Sequence, residues 1–219
     1  MINRTAIMTV LAAGSSFAAA DIVASYSFTD LNGSFQADTG LFTAFAQNDA
    51  DLSSGGDVSL LTGSKGTAQY DTGFLGLGSA DVSVQFEVSN ITADSADSVG
   101  IVSIVDADGD TLTASVSGSW NILNPFGFMF FNGTTTDFSF TDNGDQDGSF
   151  DGVNGSFSLA GLTSALFDGA VSIILQNPGG FSGGNFDGVS TQTDGILIPT
   201  PGVLAIAGLG LAGVTRRRK

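Results

Sequence analysis

The sequence predicts one antiparallel all-β domain, arranged as a β-sandwich or jelly roll. Of its 22 acidic residues, only Glu87 is a glutamate, and aspartate favours turns and caps whereas glutamate favours helix interiors. The 31 glycines and 18 phenylalanines, with many serine, threonine and valine residues, suit short strands joined by tight turns. Apolar residues recur with a period of two along much of the chain, as in strands.

The clearest strand covers residues 81–88, where valine or phenylalanine at the even positions alternates with polar residues at the odd positions. This alternation predicts one buried face and one exposed face, the latter starting at Asp81. Residues 99–105 and 111–117 flank an acidic glycine turn at 106–110, which predicts a hairpin. The other predicted strands cover 21–28, 40–47, 58–61, 67–70, 120–123, 126–131, 134–141, 153–159, 171–176 and 191–197. Asn-Gly turns are predicted at 32–33 and 132–133, and only 162–167 looks helical.

Charge narrows the possible functions. Lys65 is the only basic residue between residues 5 and 215, so residues 21–200 carry a formal charge of 1 − 22 = −21. Such a surface repels phosphate backbones, which excludes nucleic acid as a partner, and it attracts cations. The absence of cysteine and histidine excludes disulfides, thiolate or imidazole zinc sites and histidine-based catalytic triads.

The stretch 142–151 predicts a calcium site. Counted from its asparagine, oxygen ligands fall at positions 1, 3, 5 and 9 of a calcium loop, and Gly148 stands at position 6. Asn154 occupies position 12, where a bidentate glutamate is usual, so the predicted site is weak. A solvated acidic hairpin loop is the alternative. The predicted calcium ligands are Asn143, Asp145, Asp147 and Asp151.

Asp106, Asp108 and Asp110 form a second calcium candidate, although a tight hairpin turn also accounts for them. Two catalytic hypotheses find less support. The Asp-Thr-Gly triplets at 38–40 and 71–73 lie too close together for the two lobes of an aspartic protease. A glycoside-cleaving enzyme needs a pair of carboxyls roughly 5–10 Å apart, and no pair is distinguished by an apolar setting. The sequence therefore predicts no catalysis.

Both ends of the chain carry targeting features. Residues 1–4 include a positive charge, 5–13 are apolar and 18–20 are three alanines, a pattern typical of a secretory signal peptide covering 1–20. The acidic β domain is then expected at 21–195. The segment 196–219 contains a Pro-x-Pro joint, an uncharged run to Val214 and a basic end. At 13 residues from Gly202 the run gives about 20 Å of helix, short of the about 30 Å of a bilayer core.

This tail resembles the PEP-CTERM sorting signal of exported bacterial proteins, in which a Pro-x-Pro motif precedes an apolar helix and a basic cluster. Thr200 stands where that family has a glutamate. The resemblance implies processing by an exosortase-type enzyme after transient anchoring in the inner membrane, with the basic end held on the cytoplasmic side. The sorting residues it implies are Pro199, Thr200, Pro201, Arg216, Arg217, Arg218 and Lys219.

Together these features predict an exported, non-catalytic structural protein of the cell surface or the extracellular matrix, associated with extracellular polysaccharide. Its expected processing partners are signal peptidase and the exosortase-type enzyme. The alternative is a calcium-dependent carbohydrate-binding module, followed by a glycoside-cleaving enzyme. Calcium is the only cofactor that the sequence suggests.

Overall fold

A computed structural model describes residues 21–70, 81–123, 126–143 and 146–200. Every pairing between their strands is antiparallel, which confirms the predicted antiparallel all-β class. The strands are β1 Ala24–Gln36, β2 Leu41–Phe45, β3 Gly55–Leu60, β4 Gly66–Tyr70, β5 Val82–Ser89, β6 Ser95–Val105, β7 Thr111–Leu123, β8 Phe128–Thr141, β9 Ser149–Asp151, β10 Ser156–Ser158, β11 Phe167–Gln176 and β12 Phe186–Pro199; a 3₁₀ turn covers Phe181–Gly183.

Eight strands form one closed, barrel-like sheet, because β12 pairs with β1 as well as with β11. Around the ring the order is β1, β2, β5, β6, β7, β8, β11, β12. Two hairpins stand outside it: β3–β4 extends from the first half of β1, and β9–β10 is a separate two-stranded sheet. The predicted sandwich or jelly roll is not confirmed, since a single sheet closes on itself where two facing sheets were expected.

Two predicted Asn-Gly turns lie within long strands. β8 runs through Asn132 and Gly133, and β1 runs through Asn32 and Gly33. Each glycine serves a close approach between strands: a Cβ on Gly133 would lie 3.0 Å from the carbonyl oxygen of Ser117 on β7, and one on Gly33 would lie 2.2 Å from a threonine hydroxyl of β12. The predicted segments 111–117 and 120–123 likewise belong to one strand, β7.

These long strands curve through bulges. The pairing of β1 with β12 slips beside Asp30, whose φ is 54°, and the pairing of β7 with β8 slips beside Asp137, whose φ is 57°. A bulge adds one unpaired residue and increases the local twist, which helps a sheet to close. Each bulge shifts the alternation of buried residues by one position, from even to odd residue numbers in β1 and from odd to even numbers in β8.

Aromatic side chains fill the interior of the ring. Trp120 is fully buried among these aromatic side chains, and its indole N–H donates to Ser98 Oγ at 2.8 Å. Phe181, from the 3₁₀ turn, packs over Trp120 with 5.1 Å between ring centroids and covers one end of the ring, here called the apolar end. The remaining fully buried rings of the core include Phe28, Phe35, Phe42, Phe86, Phe131, Phe138 and Phe140.

The β9–β10 hairpin covers the opposite end. Its Phe150 and Phe157 pack edge-on against Phe140, with centroid distances of 5.8 and 6.0 Å. Buried or half-buried aspartates gather beside this hairpin, so we call this the acidic end. The aspartates are Asp81, Asp106, Asp108, Asp110 and Asp151.

Two predictions near the end of the domain differ from the structure. β12 continues to Pro199, so the sheet extends four residues beyond the predicted limit at 195. Residues 162–164 form a turn, not a helix, and Phe167 begins β11. The predicted signal peptide and residues 201–219 lie outside the described residues. Within the described residues, no helix has the length and hydrophobicity needed to cross a membrane.

Candidate metal centre

Asp106 organises the loop between β6 and β7. Its side chain is 0% exposed, and its Oδ1 accepts hydrogen bonds from the backbone N–H groups of Asp108, Gly109 and Asp110 at 3.2, 3.0 and 2.8 Å. One carboxylate oxygen thus satisfies three donors of a tight turn, as aspartate commonly does in hairpin loops. Gly109 has a φ of 112°, a value that glycine adopts without strain.

Asp151 reaches this loop from β9. Its backbone N–H donates to Asp106 Oδ2 at 2.7 Å, and its carbonyl oxygen accepts from the N–H of Ala107 at 2.9 Å. These two bonds join segments 45 residues apart in the sequence. As a result, one carboxylate oxygen each from Asp106, Asp108 and Asp151 lies within 4.8 Å of the others. We call these three residues the aspartate triad.

A buried tyrosine stands next to the triad. Tyr70, the last residue of β4, is 3% exposed, and its hydroxyl has no hydrogen-bond partner among the described residues. Its ring packs edge-on against Phe28, with centroids 5.2 Å apart. Burial raises the pKa of Tyr70 well above its ordinary value, and the nearby negative charges of Asp106, Asp81 and Asp151 raise it further.

Asp81 belongs to the same environment. It is 2% exposed and lines a small internal space together with Tyr70, Phe28 and Val82. Its backbone carbonyl accepts the N–H of Val105 at 2.6 Å, one position before Asp106. This hydrogen bond fixes the start of β5 beside the hairpin loop of the triad.

The acidic end concentrates negative charge in a domain that has almost no basic side chains to compensate it. Lys65 is the only basic residue of the described chain, and it is exposed in the turn between β3 and β4. Buried carboxylates are costly unless hydrogen bonds or cations compensate them. Backbone N–H groups supply part of this compensation at Asp106. Carboxylate oxygens converging in this way form the kind of site that hard divalent cations occupy.

The predicted calcium ligands of 142–151 are dispersed in the structure. Asp151 joins the triad, whereas Asp145 lies outside the described residues. The backbone N–H of Asn143 donates to Asp110 Oδ1 at 2.7 Å. Asp147 Oδ1 accepts two bonds from Ser149, through its N–H and its Oγ, each at 2.7 Å. Ser149 Oγ also contacts the carboxylate of Asp151.

The second predicted set is brought together more closely. Asp106 and Asp108 both belong to the triad, while Asp110 is buried and holds Asn143, at the end of β8, through its carboxylate. The structure thus combines two residues of one predicted set with one residue of the other. Neither predicted set contained this combination, because a contact between the β6–β7 loop and β9 depends on the closed topology.

Two residues of the acidic end were missed by the sequence analysis. Asp81 was assigned to the exposed face of its strand, yet it precedes β5 and turns inwards, so this assignment was wrong. Tyr70 was recognised only as a strand residue. The unusual placement of a carboxylate directly before the apolar positions of β5 is the one sequence signal that could have drawn attention to Asp81.

The predicted sorting residues lie at the end of the described chain. Pro199 is the last residue of β12 and pairs with Phe167. Thr200 Oγ1 donates to the carbonyl oxygen of Leu166 at 2.8 Å. The others, Pro201, Arg216, Arg217, Arg218 and Lys219, lie outside the described residues.

Comparisons with protein-family models, with curated proteins and with solved structures find no match for the chain.

Proposed function

We propose that this chain is an exported, non-catalytic structural protein of the cell surface or extracellular matrix. The observation that carries the proposal is the packed interior of the closed sheet. Four aromatic side chains in this interior are fully buried and contact one another, with 4.9–6.3 Å between ring centroids: Trp120, Phe42, Phe86 and Phe131. A ring of strands filled in this way acts as a core and not as a ligand container.

The available carboxylates also favour a structural role. Asp106 accepts four backbone N–H groups, three on Oδ1 and one on Oδ2, and so holds loops together. Glu87, the only glutamate of the chain, lies exposed on β5 between Leu41 and Val99 of the neighbouring strands. A pair of carboxylic acids for glycoside cleavage needs one member in an apolar setting that raises its pKa, and Glu87 lacks that setting.

The two ends of the chain support export. The signal peptide pattern at 1–20 directs secretion through signal peptidase. At the other end, the sheet finishes at Pro199, which is also the first residue of the Pro-Thr-Pro joint, so the joint lies at the end of the folded domain. An exosortase-type enzyme would cut there, after the apolar run and basic end had held the chain transiently at the inner membrane. The released domain would then associate with extracellular polysaccharide through its polar outer face.

The delivery part is tested in a bacterial host that processes such tails. Replacing Arg216, Arg217, Arg218 and Lys219 with serine should stop retention at the inner membrane and hence tail removal. Intact mass of the protein recovered from membrane, surface and medium reads out both processing sites. Lys65→Ser is the matched control, because it removes a cation from the domain and should leave processing unchanged. Normal processing of the tail variant would contradict the sorting role.

The structural part is tested by activity and binding assays on the recovered protein. We expect no release of reducing ends from extracellular polysaccharide and no retention on columns of immobilised soluble glycans. Extraction of the native matrix should instead remove the protein together with insoluble polysaccharide. Hydrolysis would support the enzyme, and specific retention on a soluble glycan would support the binding module.

One observation favours the carbohydrate-binding module as the second candidate. An open groove on the outer face of the sheet is lined by hydroxyl, amide and carboxylate groups that suit sugar hydroxyls, among them Ser27, Asp57, Asn132, Ser172 and Asp194. Ser27 Oγ donates to Asp194 Oδ1 at 2.5 Å, which orients part of this lining. If a glycan column retains the protein, Asn132→Ala and Asp57→Ala should abolish retention, whereas Asp187→Ala on a different part of β12 should not.

A further inference from the structure

We propose that the aspartate triad binds one calcium ion at the acidic end. The three carboxylate oxygens lie within 4.8 Å of one another. Calcium takes oxygen ligands at about 2.3–2.6 Å, so two ligands on opposite sides of the ion stand about 4.6–5.2 Å apart. Magnesium, at about 2.0–2.1 Å, demands near-ideal octahedral geometry and gives up its waters reluctantly. This inference holds whether or not the proposed structural function is right.

Tyr70 is an independent indication of a ligand. A buried hydroxyl normally finds a hydrogen-bond partner, and one without a partner costs free energy. Tyr70 is more than nine-tenths buried, its hydroxyl has no partner among the described residues, and it lines one small internal space together with Asp81. The negative charges of Asp106 and Asp151 also act on it. A cation held by the triad, with its coordinated water, gives this phenol oxygen a partner.

The type of donor selects the ion. All of the side chains that converge here offer oxygen, and the sequence contains neither histidine nor cysteine. Carboxylate oxygens suit calcium, magnesium and manganese, whereas zinc and copper sites rely on imidazole or thiolate. Three carboxylates brought together from a loop and a separate hairpin favour calcium among these ions, because calcium tolerates irregular coordination better than magnesium does.

Binding of calcium would connect two parts of the fold. Asp106 and Asp108 belong to the β6–β7 loop, whereas Asp151 belongs to the β9–β10 hairpin that covers the acidic end. The ion would add a third link to the two backbone hydrogen bonds that already join these segments. Calcium is therefore expected to hold the hairpin, with Phe150 and Phe157, against the end of the ring.

Titration of the full-length protein with calcium by isothermal calorimetry tests the proposal. We expect one site with a Kd of roughly 10⁻⁴ to 10⁻³ M, the range of extracellular calcium modules with few charged ligands. The melting temperature should rise with calcium and rise less with magnesium at the same ionic strength. Equal shifts with both ions would mean that the acids only screen charge, and this would overturn the proposal.

Substitutions that remove one charge each distinguish the triad from the rest of the acidic surface. Asp108→Asn and Asp151→Asn should each weaken calcium binding by at least about tenfold, in line with the dependence of affinity on ligand charge. Asp97→Asn and Asp137→Asn are the matched controls, and they should bind within about twofold of the parent. Circular dichroism without calcium shows that each variant folds. Unchanged binding by both triad variants would overturn the proposal.

Terbium, which replaces calcium in oxygen sites, tests the position of Tyr70. A nearby excited tyrosine transfers energy to bound terbium, so the parent should show sensitised emission that calcium reverses. Tyr70→Phe should lose most of this emission while still binding calcium in the calorimeter, whereas Tyr26→Phe should keep it. If Tyr70→Phe keeps its emission, Tyr70 does not lie at the ion.

Discussion

The two ends of the closed sheet are covered in different ways. At the apolar end, Phe181 packs against Phe35, Phe42 and Trp120 with centroid distances of 4.8–6.2 Å. At the acidic end, Phe150 and Phe157 stack on each other at 5.3 Å, and aspartates tie their hairpin to the ring. The first cover depends on apolar packing alone, and the second depends also on carboxylates.

This difference has a consequence for stability. Apolar burial responds weakly to ionic conditions, whereas the energy of neighbouring carboxylates changes with bound cations and with protonation. The acidic end should therefore be the part of the fold that senses calcium, and the apolar end should not. For the exported protein that we propose, such a division would tie the closure of one end to the calcium of its surroundings.

The largest effects should come from truncating one phenylalanine at each end. Phe181→Ala and Phe157→Ala should each cost about 3–5 kcal/mol of unfolding free energy, the usual range for a buried phenylalanine. Only Phe157→Ala should also weaken calcium binding, because it loosens the hairpin that carries Asp151. Urea unfolding with and without calcium measures both effects. Equal loss of calcium binding in both variants would show that the two ends are coupled.

A smaller effect should follow from removing a buried carboxylate outside the triad. Asp110→Ala leaves the backbone N–H of Asn143 without the acceptor that it now has at 2.7 Å, which should cost about 1–3 kcal/mol. Hydrogen exchange at the Asn143 amide should accelerate. Asp97→Ala, an exposed acid on β6, is the control and should change the stability by less than about 0.5 kcal/mol. Similar costs for the two would mean that burial of Asp110 contributes nothing.

Much of the fold could be predicted because alternation reports burial directly. The strand 81–88 is confirmed as β5, with its valines and Phe86 buried, and the hairpin around 106–110 is confirmed by β6 and β7. Closure could not be predicted, because a strand looks alike in a sandwich and in a closed sheet. The Asn-Gly pairs were wrongly predicted as turns, because glycine occurs both in turns and at close contacts between strands, and the local sequence does not distinguish the two.

The candidate site was predictable only where its residues are close together in the sequence. Asp106 and Asp108 share a turn, so local spacing identified them, and Asp151 was identified within another loop. Their meeting depends on the β9–β10 hairpin folding back on the β6–β7 loop, which is a long-range contact. Tyr70 is contributed by a third segment, and a single tyrosine at the end of a short strand carries no local signal of a site.

Alkaline pH should test a buried group away from the triad. Burial raises the pKa of Tyr26 above its ordinary value of 10.0, and the charge of Asp194 raises it further. The unfolded chain then loses this proton first, so stability is full below pH 10 and falls as pH rises towards the folded pKa. At pH 11 the loss from Tyr26 should be on the order of 1 kcal/mol, and Tyr26→Phe should remove it. Urea unfolding at pH 7 and 11 measures the change.

Calcium at saturation should leave this alkaline loss in place, because Asp194, the one carboxylate that acts on Tyr26, is not a member of the triad. If calcium cancels the loss, or if Tyr26→Phe retains it in full, the ion acts on the fold as a whole and the contrast between the two ends fails.

The smallest effect concerns Asp49, an exposed counterpart of Asp106 in the loop between β2 and β3. Its Oδ1 accepts the backbone N–H groups of Leu52 and Asp51, both at 2.8 Å, and these bonds lower the pKa of Asp49 below its ordinary value of 3.8. A lowered pKa means that the stabilising contribution is present above pH 3.8 and is lost as pH falls through the folded pKa. Solvent weakens the effect at an exposed site.

Asp49→Asn should therefore remove only a slight part of the acid destabilisation and should not change calcium binding. Carboxyl NMR titration of Asp49 checks the direction of its pKa shift, and melting curves at about pH 6 and about pH 3 check the effect on stability. The amide oxygen of asparagine can still accept both N–H groups, so the loop should keep its shape. If calcium binding changes in this variant, the ion acts on distant acids, and the aspartate triad is not its site.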